Sequence, residues 1–417
     1  MPSKAELSCE KTLWRGRNAY LLGNGILELT TLIGGGHIAD LRFSESTGLP
    51  PLNPLWVPPW ETIEPYTYNP RIHASRYGTM TEGKLLSGLV GHNICLDYFG
   101  SPSPEEARQG LSQHGEAPSA KWQKRDVQLT ANEVALTLSV GLPVAGLRFR
   151  RQMRLRRGES VVYLTETVFN ERKCDHFFHW TQHVTLGPPF LSHRDSRVLI
   201  PATKGMTFPH GYDEDKALLA SGQEFRWPLA PLRKGGTVDL TRCLLQRGFG
   251  FVVSVLLNPT RDIGHVAAIN NRERLVIGYC FNRLDFPWVA VWEENCAIAG
   301  VPWKQETQTR GLEFGTTPIP VMRREAYAQS QLFGIPTFTC VSARGRKTIQ
   351  YLAFLARIPD NFGHVQHIQV FENEILIVGS KRRAEMRVLA SMVQRTLSVT
   401  KYKPKRHGDA EKTLGRR

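Results

Sequence analysis

Apolar and polar residues along this chain swap with a period of two or gather in short apolar runs. The segments are "GILELTTLIGG", "VQLTANEVALTLSV", "LRFRRQMRL", "SVVYLTETVFN", "TVDLTRCLL", "FGFVVSVLLN", "RLVIGYCF", "FPWVAVWEE", "TFTCVSA", "TIQYLAFLARI" and "HIQVFENEILIVG". β-branched and aromatic residues fill them, and Gly, Pro, Asn and Asp separate them, which is the pattern of strands. Eleven or more strands without interleaved amphipathic helices argue against a βαβ sheet and predict an all-β sandwich or barrel. Helices are few. "SPEEARQGLSQ" offers Ser103 as N-cap, Pro104 at the first position and acids in the first turn. "RRAEMRVLASMVQRTL" (382–397) puts Met386, Leu389, Val393 and Leu397 on one helical face. The Pro-rich stretch 49–70 contains Trp56, Trp60, Tyr66 and Tyr68, and reads as an ordered loop packed on the body. Such aromatics serve plain packing or stack on a sugar ring. The division that follows is one domain over 8–380, a helix over 381–400 and a disordered basic tail over 401–417.

Composition narrows the class. Of 417 residues, 41% are hydrophobic and 22% charged, as in soluble globular proteins. No apolar run approaches the roughly 18–20 residues of a membrane span, so no membrane partner is expected. The first twenty residues lack an apolar core and a small-residue cleavage site, which points to an unexported, cytoplasmic protein. Seven scattered cysteines, none in a CxxC, argue for reduced thiols. The formal net charge is +15, and the last 17 residues hold seven Lys/Arg against two Asp/Glu, about a third of that excess. The cluster "RFRRQMRLRRGES" (148–160) alternates as a strand with one wet face would. Without an RNA- or DNA-binding motif, a solvated basic face is expected and no nucleic-acid partner.

Three clusters carry candidate chemistry. "DHFFHWTQHVTLGPPFL" holds His176, His179 and His183. Even spacing puts His179 and His183 on one face of a strand and His176 on the other, so they do not converge on a metal. His183 stands before Gly187, Pro188 and Pro189, at a strand end that faces a loop. In "LSQHGEAPSAKW", His114 precedes Gly115, with Glu116 and Trp122 behind, which suggests an imidazole in a tight turn. In "WKQETQTRGLEFGTTPIP", Glu313 lies between Leu312 and Phe314 with Arg310 nearby. Its carboxylate faces away from both apolar neighbours, into solvent or a cleft, where it is a candidate base with Glu306 as rival.

The order of these clusters resembles the galactose mutarotase-like superfamily, the aldose 1-epimerase family, with this chain as a divergent member. "GGGHIADLRF" (34–43) is similar to its early GGxI strand, and "GHNICLDYFG" (91–100) to a segment lining its sugar site. "QHGEAPSAKW" resembles its His-Gly-Gly turn, "QHVTLGPPFL" its catalytic His, and "GLEFG" its catalytic Glu. The family's Tyr-Phe-Asn after the His is absent, as is its usual Arg. His92 and Asn93 stand where that part would be, and Arg71 or Arg76 would supply the cation.

The resemblance implies a β-supersandwich of two large antiparallel sheets with the site on the concave face. It implies an isomerase that opens a sugar hemiacetal and closes it on the other face, without cofactor or metal. Glu313 would be the base and His183 the acid. His114 would hold a sugar hydroxyl or polarise O5, helped by Asn93 or His92. Trp122, Trp60 or Trp303 would stack on the ring, and Arg71, Arg76 and Arg310 would attract a phosphorylated or carboxylated sugar. Two rivals share the fold: a non-catalytic sugar-binding protein, and a hydrolase or lyase. A hydrolase pairs two carboxylates about 5–10 Å apart, here Glu313 with Glu306, Glu294 or Asp97.

Overall fold

The strands gather into two antiparallel sheets that face each other across one apolar layer. This is seen in a computed structural model of the chain, which describes residues 6–210, 212 and 215–397. The larger sheet has eleven strands in the order Ser8–Trp14, Arg17–Gly23, Leu27–Leu32, Ile38–Phe43, His92–Cys95, Thr181–Leu186, Gln308–Gly315, Trp288–Asn295, Phe249–Leu257, Ala202–Thr207 and Glu224–Arg226. The second has eight: Ser196–Leu199, Ile263–Asn270, Leu275–Asn282, Arg346–Arg357, Val161–Asn170, Leu147–Arg156, Glu133–Leu142 and Gln123–Leu129. Alternate residues of both sheets fill the space between, among them Ile94, Leu138, Phe149, Leu164, Val184, Val289, Leu312, Phe314 and Leu355. This is the all-β sandwich of two large antiparallel sheets expected from the sequence.

Gly36 shows how closely the layers meet. Its φ is +63°, and a Cβ there would strike the indole of Trp122. Its carbonyl oxygen accepts a hydrogen bond from Arg151 at 2.9 Å. Trp122 itself is sealed in the core against Phe149, with Nε1 donating to the Ala117 carbonyl.

The 148–157 basic run behaves as a wet face with one exception. Arg148 pairs with Glu171, Arg154 with Glu133, and Arg156 with Glu133 and Glu159. Arg151 points inward. The charge run is therefore largely neutralised by carboxylates of its own sheet.

The C-terminal reading needs correction. Residues Glu385–Leu389 form a strand, and the helix is confined to Val393–Leu397. The strand joins Val365–Val370 and Glu374–Gly379 in a three-stranded sheet, with Ile375 opposite Val388 and Ile377 opposite Met386. This sheet lies on the outer face of the eight-stranded one, and Ile368, Ile375, Ile377 and Val388 meet Val161, Leu352 and Phe354 there. Met386 and Leu389 fit a helical period and Met386 and Val388 a period of two, and strand pairing decided between them. The expected tail over 401–417 lies outside the described residues.

The 49–91 segment covers part of the outer face of the eleven-stranded sheet. Arg17 ties it down, donating to the Gly34 and Gly88 carbonyls at 3.0 and 2.7 Å. Trp56 N–H donates to the Thr185 carbonyl, and Thr185 N–H to that of Gly91. Within it the helix Pro70–Tyr77 starts at Asn69, whose side chain accepts from Arg71 N–H. Among the described residues no helix is long and apolar enough to cross a membrane.

Candidate functional site

Three neighbouring strands place Asn93, His183 and Glu313 in one row. Asn93 is directly opposite His183, and His183 directly opposite Glu313. On each strand the adjacent residues, Ile94, Val184, Leu312 and Phe314, turn into the sandwich core. The row therefore faces the other way, toward the covered outer side. Cross-strand neighbours hold their Cβ atoms about 4.5–5.5 Å apart, so the three functional groups are within reach of one small ligand.

His183 Nε2 lies 3.4 Å from Glu313 Oε1, close enough for an ion pair and too far for a good hydrogen bond. Nδ1 of His183 is fixed by the Thr185 hydroxyl at 3.0 Å, two residues along the same strand. Gly311 makes room for the carboxylate, since a Cβ there would overlap Glu313 Oε1. His114 approaches from the turn, with its ring centroid 5.1 Å from that of His183. The turn is a left-handed one: φ is +66° at His114 and +84° at Gly115. A Cβ at Gly115 would overlap the Leu96 carbonyl, so glycine is required there. Phe99 stacks on the His114 ring at 5.6 Å.

The group is nearly dry. Relative exposure is 0% for Asn93, 2% for Glu313, 5% for His183 and 6% for His114. Yet Asn93 Oδ1 and Nδ2, His114 Nδ1 and Glu313 Oε1 have no hydrogen-bond partner. Buried polar atoms are nearly always paired, so four unpaired ones on one patch indicate a place for a polar ligand. Burial also sets the protonation. It pushes the Glu313 carboxyl well above the usual carboxylate range and holds the His183 imidazole down to about 4. Burial, then the neighbouring His183, depresses His114 further. Burial thus disfavours the charged form of both members of the dyad.

Other residues chosen from the sequence lie elsewhere. His92 is one residue from Asn93 and so faces the interior, with Nε2 3.0 Å from Gln182 Oε1. Arg310 is also interior, paired with Glu293 at 2.5 Å. Arg76 is on the surface with Glu61 at 2.7 Å, and Trp122 is in the core. These four are corrected: none borders the row. Trp60 and Trp303 belong with Trp56 and Leu85 to an aromatic cluster over the site. The ring that reaches the dyad is one the sequence reading missed. Trp292 is half-buried, 5.9 Å from the His183 ring and 6.0 Å from Trp303. Period two in "FPWVAVWEE" placed it on the face of Ala290, which is directly opposite Glu313. Thr185 and Gly311, each two residues from a catalytic candidate, carried the same parity signal.

His176 and His179 are committed. His176 Nε2 pairs with Asp97 at 2.8 Å, and His179 Nδ1 accepts from the Phe99 N–H. His179 stands just before the Thr181–Leu186 strand, so the shared face read from the sequence does not apply. Among the described residues no cluster of His, Cys, Asp or Glu is arranged to hold a metal ion.

No protein-family model matches the sequence, and no curated protein matches it. Solved structures do match. A proposed aldose 1-epimerase from Klebsiella pneumoniae superposes with a TM-score of 0.59 at 17% identity, over 82% of this chain and 79% of its own. A galactose mutarotase-like protein from Clostridium acetobutylicum gives 0.55 at 12% identity, over 85% and 99%. A proposed aldose 1-epimerase from Escherichia coli gives 0.52 at 13% identity, over 82% and 99%. The chain has the galactose mutarotase-like fold.

Proposed function

We propose that the protein interconverts the anomers of a sugar by general acid–base ring opening, with His183 and Glu313 as the catalytic pair. The observation that carries this reading is the His183–Glu313 pair, 3.4 Å apart, beside four unpaired polar atoms on one face of the sheet. From the resting pair, neutral His183 Nε2 takes the O1 proton as the C1–O5 bond breaks. The Glu313 carboxyl delivers its proton to O5. The open aldehyde then sits beside a carboxylate and an imidazolium, and C1 rotates. In closure Glu313 takes the proton back from O5 and His183 returns one to O1. This reverses the opening roles expected from the sequence, where Glu313 takes the O1 proton as base and His183 protonates O5 as acid. Asn93 and His114 have free groups for sugar hydroxyls, and Trp292 offers a ring for the C–H face.

The hydrolase reading loses support. Glu306 is exposed, Glu294 accepts from the Ala297 and Ile298 N–H groups, and Asp97 is held by His176 and Arg323. The test is anomer exchange by NMR on a panel of aldoses and sugar phosphates, with Glu313→Gln and His183→Asn as controls. Acceleration abolished by both variants is expected. Ligand-induced shifts without acceleration on any sugar would instead identify a sugar-binding protein.

A further inference from the structure

Behind the dyad, in the dry layer between the sheets, lies a second polar group. Its centre is the Glu166 carboxylate. Oε1 accepts from Arg151 Nε at 2.6 Å and from the Tyr351 hydroxyl at 2.8 Å. Oε2 accepts from Gln182 Nε2 at 2.6 Å and from Trp180 Nε1 at 3.1 Å. Gln182 Oε1 is shared in turn by Arg151 Nη2 at 3.3 Å, Tyr351 at 3.0 Å and His92 Nε2 at 3.0 Å. Tyr279 completes it with a 3.4 Å contact to His92 Nδ1. Every one of these side chains is sealed from solvent.

A buried ion pair of this kind is a poor source of net stability, because desolvation offsets the attraction. Its geometry suggests another use. Arg151, Glu166, Tyr279 and Tyr351 all come from the eight-stranded sheet. Their partners across the layer are Trp180, Gln182 and His92. Gln182 and His92 immediately precede His183 and Asn93.

We infer that Glu166 is a positioning residue: through Gln182 and Trp180 it anchors the His183 strand from behind and so sets the His183–Glu313 gap. The inference deepens the proposed function and rests on it for its catalytic meaning. A strand grips its two faces together, since a shift or twist that moves Gln182 moves His183 with it. Catalysis is sensitive to displacements on that scale, with about 10²-fold lost for a 1 Å misplacement.

Gln182→Met tests this. It keeps the volume and removes the bonds to Glu166, Arg151, Tyr351 and His92. Two readouts are taken on the full chain: the ring ¹⁵N resonances of His183, and kcat and KM for anomer exchange. The expected result is shifted His183 ring signals and a kcat lower by about tenfold or more with KM within about twofold. A folded variant with unchanged ring signals and unchanged kcat would overturn the inference and leave the network a purely structural one. If Gln182→Met does not fold, Tyr351→Phe removes the shared hydroxyl alone. A smaller move in the same two readouts is then expected, and none would overturn it. Should the wild-type chain accelerate no sugar, the proposed function fails by itself. The His183 ring signals of the variants still decide whether the hub positions that residue.

Discussion

The strands that carry the site have two polar faces, equally buried and differently finished. Toward the eight-stranded sheet, His92 and Gln182 enter a network with Arg151, Glu166 and Tyr351 that the chain completes itself. Toward the outer side, one residue further along each strand, Asn93 and His183 join Glu313 and His114 and leave four atoms unpaired. A buried polar group left unsatisfied costs about 1–3 kcal/mol. The first face has avoided that cost, and the second bears it until something enters. The contrast separates groups that complete one another from groups that the proposed function assigns to a ligand.

The largest effect should follow from breaking the outer face chemically. Glu313→Gln is expected to lower anomer exchange by about 10²–10⁴-fold. Its Tm should stay level or rise, because the amide relieves a carboxyl that burial disfavours when charged. A clear fall in Tm with exchange retained would reverse the assignment of the two faces.

Next comes the interior. Glu166→Ala strands the Arg151 guanidinium in a dry layer and should cost about 3–5 kcal/mol of unfolding free energy in a urea titration. A loss below about 1 kcal/mol would make the network dispensable. Gly311→Ala lies between the two kinds of change. Its new methyl would overlap Glu313 Oε1, so exchange should fall about tenfold with little change in sugar affinity. Equal rates for variant and wild type would mean that the carboxylate works from another rotamer.

Acidity sharpens the comparison further. Burial holds His92, His179 and His265 down to about 3 and His183 to about 4, against 6.5 for a free imidazole. Their folded values lie below the unfolded one, so the unfolded chain takes up protons first. Their stabilising contribution is full above about 6.5 and is lost as pH falls toward 4 and 3. Glu313 has the opposite sign, since its folded value is raised and its contribution falls as pH rises above 4.5. Burial also lowers His37, His114 and His364 and raises Asp40, Glu116, Asp285 and Glu294. Seven histidines thus stand against five carboxyls, and stability should decline between pH 6.5 and 4, measured by urea titrations at several pH values. Exchange should hold until His183 protonates near 4. A rate that falls in step with stability from pH 6.5 would contradict the neutral dyad.

The smallest effect is expected from Thr185→Val, which keeps the shape and removes the hydroxyl at His183 Nδ1. One hydrogen bond of about 1 kcal/mol corresponds to a rate lower by about fivefold. No change in rate or in the His183 ring signals would show that the hydroxyl does not orient the imidazole.

What the sequence made legible follows from locality. Glu313 stood out because Leu312 and Phe314 had to face the core, and His114 because Gly115 marks a left-handed turn. His92 and Asn93 are adjacent in the sequence, and only the register opposite Val184 and His183 tells them apart. Arg76, Arg310 and Trp122 were chosen by residue type. Their partners, Glu61, Glu293 and Phe149, arrive from 15 to 27 residues away, and nothing near them announces the pairing. The C-terminal strand was hidden for the same reason, since its partner hairpin decided its conformation. The Glu166 hub was invisible because its members come from segments spread between His92 and Tyr351.

Asn93, His183 and Glu313 become neighbours only when strands from the two ends and the middle of the chain have all paired. Ligand occupancy is therefore coupled to the integrity of the whole eleven-stranded sheet. A sugar that fills the row should raise global unfolding free energy by about 2.7 kcal/mol at a hundredfold excess over its Kd. A melting-temperature screen over a library of small carbohydrates would then find a ligand without assuming any turnover.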